Sequence, residues 1–145
     1  MALSPQKFRE IVFQLLYSFG FDKSEQGELS LVMRQNEIPK TMARLAYEKA
    51  EVIWQIHEDL DKIISEKAEG YELERIPMIE RTVLRLGIYE LLHTELPPKV
   101  AISEAIRLTR KYATAEGSTF INALLDRLYK EKEDVGAISE EQVVT

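Results

Sequence analysis

Apolar positions recur at three- and four-residue steps along almost all of the 145-residue chain, the period of an α-helix with one buried face. Ser4-Pro5 reads as a helix start: a hydroxyl able to cap the first turn, then a proline whose missing N–H costs nothing there. Phe8, Ile11, Val12, Leu15, Leu16 and Phe19 follow as one stripe, and Gly20 is a natural stop, so a first helix is expected over 5–19. A short second helix is expected over 24–36, with Leu29, Leu31 and Val32 inward and Gly27 weakening it. From Pro39, residues such as Met42, Leu45, Ile53, Leu60 and Ile64 keep helical spacing to about Lys67. That stretch is either one long helix or two with a kink near Tyr47. Residues 68–75, with Gly70, form a connector that leaves room for a single turn. Pro77 opens a helix that is apolar on nearly every side, as a central buried helix should be. Leu96-Pro97-Pro98 breaks it, and further helices are expected over 99–113 and from 119 to about 131. Residues 134–145 carry few large apolar side chains and are expected to form a flexible tail. The pattern as a whole predicts an all-α fold in which residues 1–133 form one domain, without strands or repeats.

Composition narrows the function more than the fold. With 45% apolar and 30% charged residues, the chain is ordinary for a soluble globular protein. No apolar run approaches the ~18 residues of a membrane span. The opening MALSPQKFRE carries charge and a proline where a signal peptide would be apolar, so a cytoplasmic location is expected. The absence of cysteine excludes disulfides, zinc ribbons and thiol catalysis. Only His57 and His93 offer imidazoles, far apart in sequence, so no metal and no cofactor is expected. Net charge is −6, concentrated in residues 21–80; residues 81–145 carry −1 and residues 1–20 carry +1. Bulk electrostatic coating of nucleic acid is disfavoured, but the two ends can hold a local basic patch.

Candidate chemistry is sparse. No serine sits in a nucleophile elbow, and there is no phosphate loop and no dinucleotide fingerprint, so no catalytic residue is expected. Glu58, Asp59 and Asp61 read as a solvated helix face. Two features suit RNA. Lys99, Ser103, Arg107, Arg110 and Lys111 fall on one helical face opposite Ala101, Ile102, Ala105, Leu108 and Tyr112, with Glu104 the one acid. Such a strip either neutralises phosphates or is simply solvated. In the first helix, Phe13 and Tyr17 lie one turn apart beside Lys7, Arg9 and Gln14. They either stack on unpaired bases or pack on a neighbouring helix. Gly117-Ser118-Thr119 either presents backbone N–H groups to an anion or supplies a plain cap.

Four motifs in order carry a family resemblance. They are Arg9-Glu10 with Gln14 and Leu16-Tyr17; Glu80-Arg81 through Leu84-Arg85 to Tyr89-Glu90-Leu91; Lys99-Val100-Ala101-Ile102-Ser103-Glu104-Ala105; and Phe120-Ile121-Asn122-Ala123-Leu124-Leu125-Asp126. Over roughly residues 5–130 they resemble the NusB family of transcription antitermination factors. The resemblance implies two small helical bundles, about 1–70 and 71–133, packed into one compact domain of about seven helices. It implies binding to boxA RNA in nascent ribosomal RNA transcripts. The implied partners are NusE, a small-subunit ribosomal protein, and the RNA polymerase antitermination complex. By position, the RNA side would comprise Lys7, Arg9, Gln14, Tyr17, Glu116, Ser118, Phe120 and Asn122. The partner side would comprise Glu80, Arg81 and Glu90, while Arg85 and Tyr89 would hold the bundles together. Pro5 and Gln6 stand where the family often has arginine, so Arg107, Arg110 and Lys111 are expected to supply the missing positive charge. A purely protein-binding module of the same fold is the alternative, and an RNA-modifying enzyme a distant third. Monomer and homodimer both stay open for the isolated chain.

Overall fold

The computed structural model describes residues 3–21 and 25–144, with side chains over 3–21 and 27–133. Among these residues there are seven α-helices and no strand: α1 Pro5–Phe19, α2 Glu25–Asn36, α3 Lys40–Gln55, α4 His57–Lys67, α5 Met78–His93, α6 Pro98–Tyr112 and α7 Ala115–Val144. A single 3₁₀ turn, Leu73–Arg75, interrupts the connector before α5. The expected start of the second helix at Ser24 lies outside the described residues.

Local chemistry explains most boundaries. The Ser4 hydroxyl accepts the Lys7 backbone N–H at 3.1 Å, and Pro5 occupies the first helical position. Gly70 has φ +82°, the left-handed conformation that glycine adopts without a Cβ clash. The kink expected near Tyr47 falls instead at Ile56 (φ −111°, ψ 17°). The reason is a side chain: His57 Nδ1 lies 2.5 Å from the Trp54 carbonyl oxygen, and its ring stacks on the indole at 3.8 Å. His57 thereby serves the Trp54 carbonyl, and the Ile56 backbone N–H serves that of Ile53. Tyr47 is a buried core residue within an unbroken α3. The last helix begins at Ala115 rather than Thr119, because Thr114 Oγ1 accepts the Gly117 backbone N–H at 2.9 Å and caps it. It continues to Val144, beyond the expected end near Glu131; no proline stops it, and Gly136 alone costs only about 1 kcal/mol.

α5 is the centre of the core, with every residue from Thr82 to Tyr89 buried. α6 and α7 pack on it from one side, α4 from another, and α1 joins it to α2 and α3. α4 leans on α5 and α7 as well as α3. Gly87 permits a close crossing of α5 with α6 and α7: a Cβ there would lie 3.1 Å from Leu125 and 3.7 Å from Ala105. Arg85 points out of this apolar helix into a bidentate pair with Asp61, both bonds 2.8 Å, and lies over the Trp54 ring. Asp61 is therefore not part of the solvated face on which Glu58 and Asp59 sit. A second pair, Arg9 Nε to Glu90 Oε2 at 2.8 Å, ties α1 to α5.

Candidate nucleic-acid interface

α1 and α6 run side by side, and the seam between them is polar. Glu10 is buried there at 4% exposure. Its carboxylate accepts hydrogen bonds from Lys111 Nζ at 2.5 Å, Tyr112 Oη at 2.6 Å and Arg107 Nη1 at 3.2 Å. Burial opposes its charge, but bonds from Lys111, Tyr112 and Arg107 outweigh that and hold the carboxyl at about 2. Gln14 continues the ladder, donating to Tyr112 Oη at 3.0 Å and accepting from Asn36 Nδ2 at 2.8 Å. The Phe13 ring, 2% exposed, lies 5.0 Å from that of Tyr112.

This seam overturns the reading of the basic strip as one open face. Arg107 and Lys111 turn toward α1 and are held by Glu10, with Glu104 accepting from Arg107 Nε at 2.7 Å. Lys99 and Arg110 are exposed and make no ion pair among the described residues. Arg9, expected at the RNA, is a structural cation: Glu90 holds it, and Glu104 lies 3.8 Å away. Gln14 is likewise engaged within the fold. Lys7 is half-buried and makes no ion pair among the described residues.

The aromatic expectations separate. Phe13 is core. Tyr17 is half-buried and packs edge-on against Phe21 at 5.0 Å; Phe21 is 65% exposed. Phe120 packs at 5.1 Å on Tyr71, which is 59% exposed. No ring contact joins Tyr17 to Phe120. The first turn of α5 touches the backbone beside both: a Cβ at Gly20 would meet Met78 Sδ at 3.2 Å, and one at Gly117 would meet Glu80 Cδ at 3.0 Å. Of the two readings of Gly117-Ser118-Thr119, anion site or plain cap, local bonding favours a capping role. The Gly117 N–H is taken by Thr114 Oγ1, the Ser118 N–H by the Thr114 carbonyl, and the Ser118 hydroxyl donates to the Ala115 carbonyl. Glu116 and Asn122 are exposed on α7.

The three partner candidates fare differently. Arg81 Nη2 donates to the Leu73 carbonyl at 2.5 Å and pins the connector to α5. Glu90 is committed to Arg9, and burial still leaves its pKa above the usual carboxylate range. Glu80 is half-buried against the first turn of α7, and burial raises its pKa too. Glu10, Tyr112, Phe21 and Asp61 carry roles the sequence reading did not assign. One signal was present: Glu10, Phe13, Gln14 and Tyr17 share a helical face beside the main stripe.

On its other flank α6 meets α7 across an open groove of about 730 Å³. Ile102 and Ile106 form its floor, with Lys99, Ser103, Arg107 and Arg110 on the α6 side and Asn122 and Asp126 on the α7 side. Among the described residues, no cluster of histidines and carboxylates suits a metal ion, and no helix is long and apolar enough to cross a membrane.

Comparison with known proteins fits this arrangement. The family model described as the NusB family matches residues 6–130. The transcription antitermination protein NusB of Thermodesulfovibrio yellowstonii is 34% identical over 139 residues, covering 88% of this chain and 92% of that protein. The protein of the same name from Symbiobacterium thermophilum is 33% identical, covering 85% and 87%. Among solved structures, T. maritima NusB superposes with a TM-score of 0.76 at 30% identity, covering 90% of this chain and 94% of that one. A structure of the antitermination factors NusB and NusE with double-stranded RNA gives 0.73 at 24% identity, a likeness of fold, covering 87% and 96%. The match of sequence and helical architecture over the same span leaves one conclusion: the chain belongs to the NusB family.

Proposed function

We propose that this chain is a non-catalytic transcription antitermination factor. It binds boxA-type RNA in nascent ribosomal RNA transcripts together with NusE, in the cytoplasm, as part of an RNA polymerase antitermination complex. Family membership over residues 6–130 carries this reading. The RNA surface would run along the outer edge of α1, with Lys7 and the Tyr17–Phe21 pair, to the start of α7, with Glu116 and Phe120. The half-exposed rings offer stacking faces for unpaired bases. Glu80 is the NusE-facing group, since of the three partner candidates it alone makes no ion pair or hydrogen bond among the described residues.

The same geometry explains why a partner is needed. Arg9, Arg107 and Lys111 are all neutralised within the fold, so the α1 edge of the lone chain keeps little positive charge for phosphates beyond Lys7. That neutralised seam also favours the second reading, a protein-binding module without strong RNA binding of its own. A gel shift with boxA RNA separates the two. The mixture with NusE should shift RNA at concentrations where neither protein alone does. Tyr17→Ala or Phe120→Ala should weaken it by about 1–3 kcal/mol, the worth of a stacked base. No RNA-dependent shift in any mixture would refute the RNA reading and favour the second.

A further inference from the structure

We propose that the groove between α6 and α7, which Asn122 also lines, receives an acidic amphipathic helix from a partner protein. Its floor is apolar: Ile102 and Ile106 lie one turn apart on α6, the latter only half-buried. Its α6 wall is cationic. Lys99 and Arg110 are exposed and make no ion pair among the described residues. Asp126 on the opposite wall does not cancel this charge, because Lys130 pairs with it at 2.9 Å. In a chain of net charge −6, this makes the groove a local positive exception.

The form of the occupant follows from the lining. Lys99 to Arg110 spans about 17 Å along the helix axis, three turns of a docked helix. Apolar residues one turn apart on such a helix would meet the two isoleucines, and flanking carboxylates would meet Lys99 and Arg110. RNA fits less well. Recognition of unpaired nucleotides uses aromatic platforms, and no aromatic ring lines this groove. The exposed rings lie elsewhere, at Tyr17–Phe21 and Tyr71–Phe120.

The chain has no cysteine, so Ser103→Cys places a unique thiol on the groove wall for an environment-sensitive fluorophore. The probe is a short helical peptide with leucines one turn apart and glutamates flanking them. Saturable binding is expected, weakened about tenfold or more in a Lys99→Glu/Arg110→Glu background. A peptide with lysines in place of the glutamates should reverse that preference and bind the charge-reversed protein better. Circular dichroism confirms that the variants fold. The proposal is overturned if no saturable signal appears, if affinity ignores the charge reversal, or if a boxA RNA oligonucleotide displaces the peptide from the groove. The last outcome would make the groove a nucleic-acid surface.

Discussion

The two flanks of α6 carry similar cations with opposite fates. On the flank facing α1, Arg107 and Lys111 converge on one buried carboxylate, Glu10, and act as structural bolts. On the flank facing α7, Lys99 and Arg110 make no ion pair among the described residues, and Asp126 across the groove is held by Lys130. The difference is one of register, not composition: a cation is available only where the neighbouring helix places no uncommitted carboxylate within its reach. Counting basic residues along a helix therefore overstates its reach toward phosphates.

Several variants can break or sharpen that contrast. The largest effect is expected at the enclosed Arg85–Asp61 pair. Asp61→Ala strands Arg85, whose side chain is 6% exposed, and should cost about 3–5 kcal/mol in denaturant melts. Glu10→Gln comes next, at about 2 kcal/mol, because Lys111 can turn to water whereas Arg85 cannot. It should also free Arg107 and Lys111, so RNA affinity at low salt should rise while stability falls. A stability loss without any gain in RNA affinity would show that the seam cations cannot reach RNA.

Acidity tests the same carboxylate. Glu10 titrates at about 2 when folded against 4.5 ordinarily, so its contribution is present above 4.5 and lost as pH falls toward 2. Glu80 and Glu90 have the opposite sign. Their raised values favour the fold at low pH, and that contribution is lost as pH rises through their folded values. Thermal melts across pH should thus peak in the weakly acidic range. Glu10→Gln should flatten the acid limb and leave the other limb unchanged. Glu80→Gln should stabilise the fold by under about 1 kcal/mol while weakening NusE binding, because it removes a carboxylate that burial disfavours. Arg110→Ala should leave stability within about 0.5 kcal/mol.

Much of the fold was legible in sequence because its signals are local. Ser4-Pro5, Gly20, Gly70 and the double proline at 97–98 act on their own neighbours, and the bounds of α1 follow directly. Arg85 announced that it needed a partner, since an unpaired guanidinium in an apolar helix is too costly. Asp61 did not announce that it was that partner: 24 residues away, on a polar face, it looks like its solvated neighbours. The break at Ile56 was invisible for a related reason, since it depends on where the His57 ring turns. The site was less legible than the fold. Whether Arg107 faces Glu10 or water depends on the packing of α1 against α6, and residues 97 positions apart leave no periodic trace.

The most direct test of the account is an amide NMR footprint of the chain bound to NusE, recorded with and without boxA RNA. The account predicts perturbations along the outer edge of α1 around Lys7 and Tyr17 and at the start of α7 around Glu116 and Phe120, with Ile106 and Arg110 unmoved. Perturbations confined to the α6–α7 groove, or none at all, would contradict it.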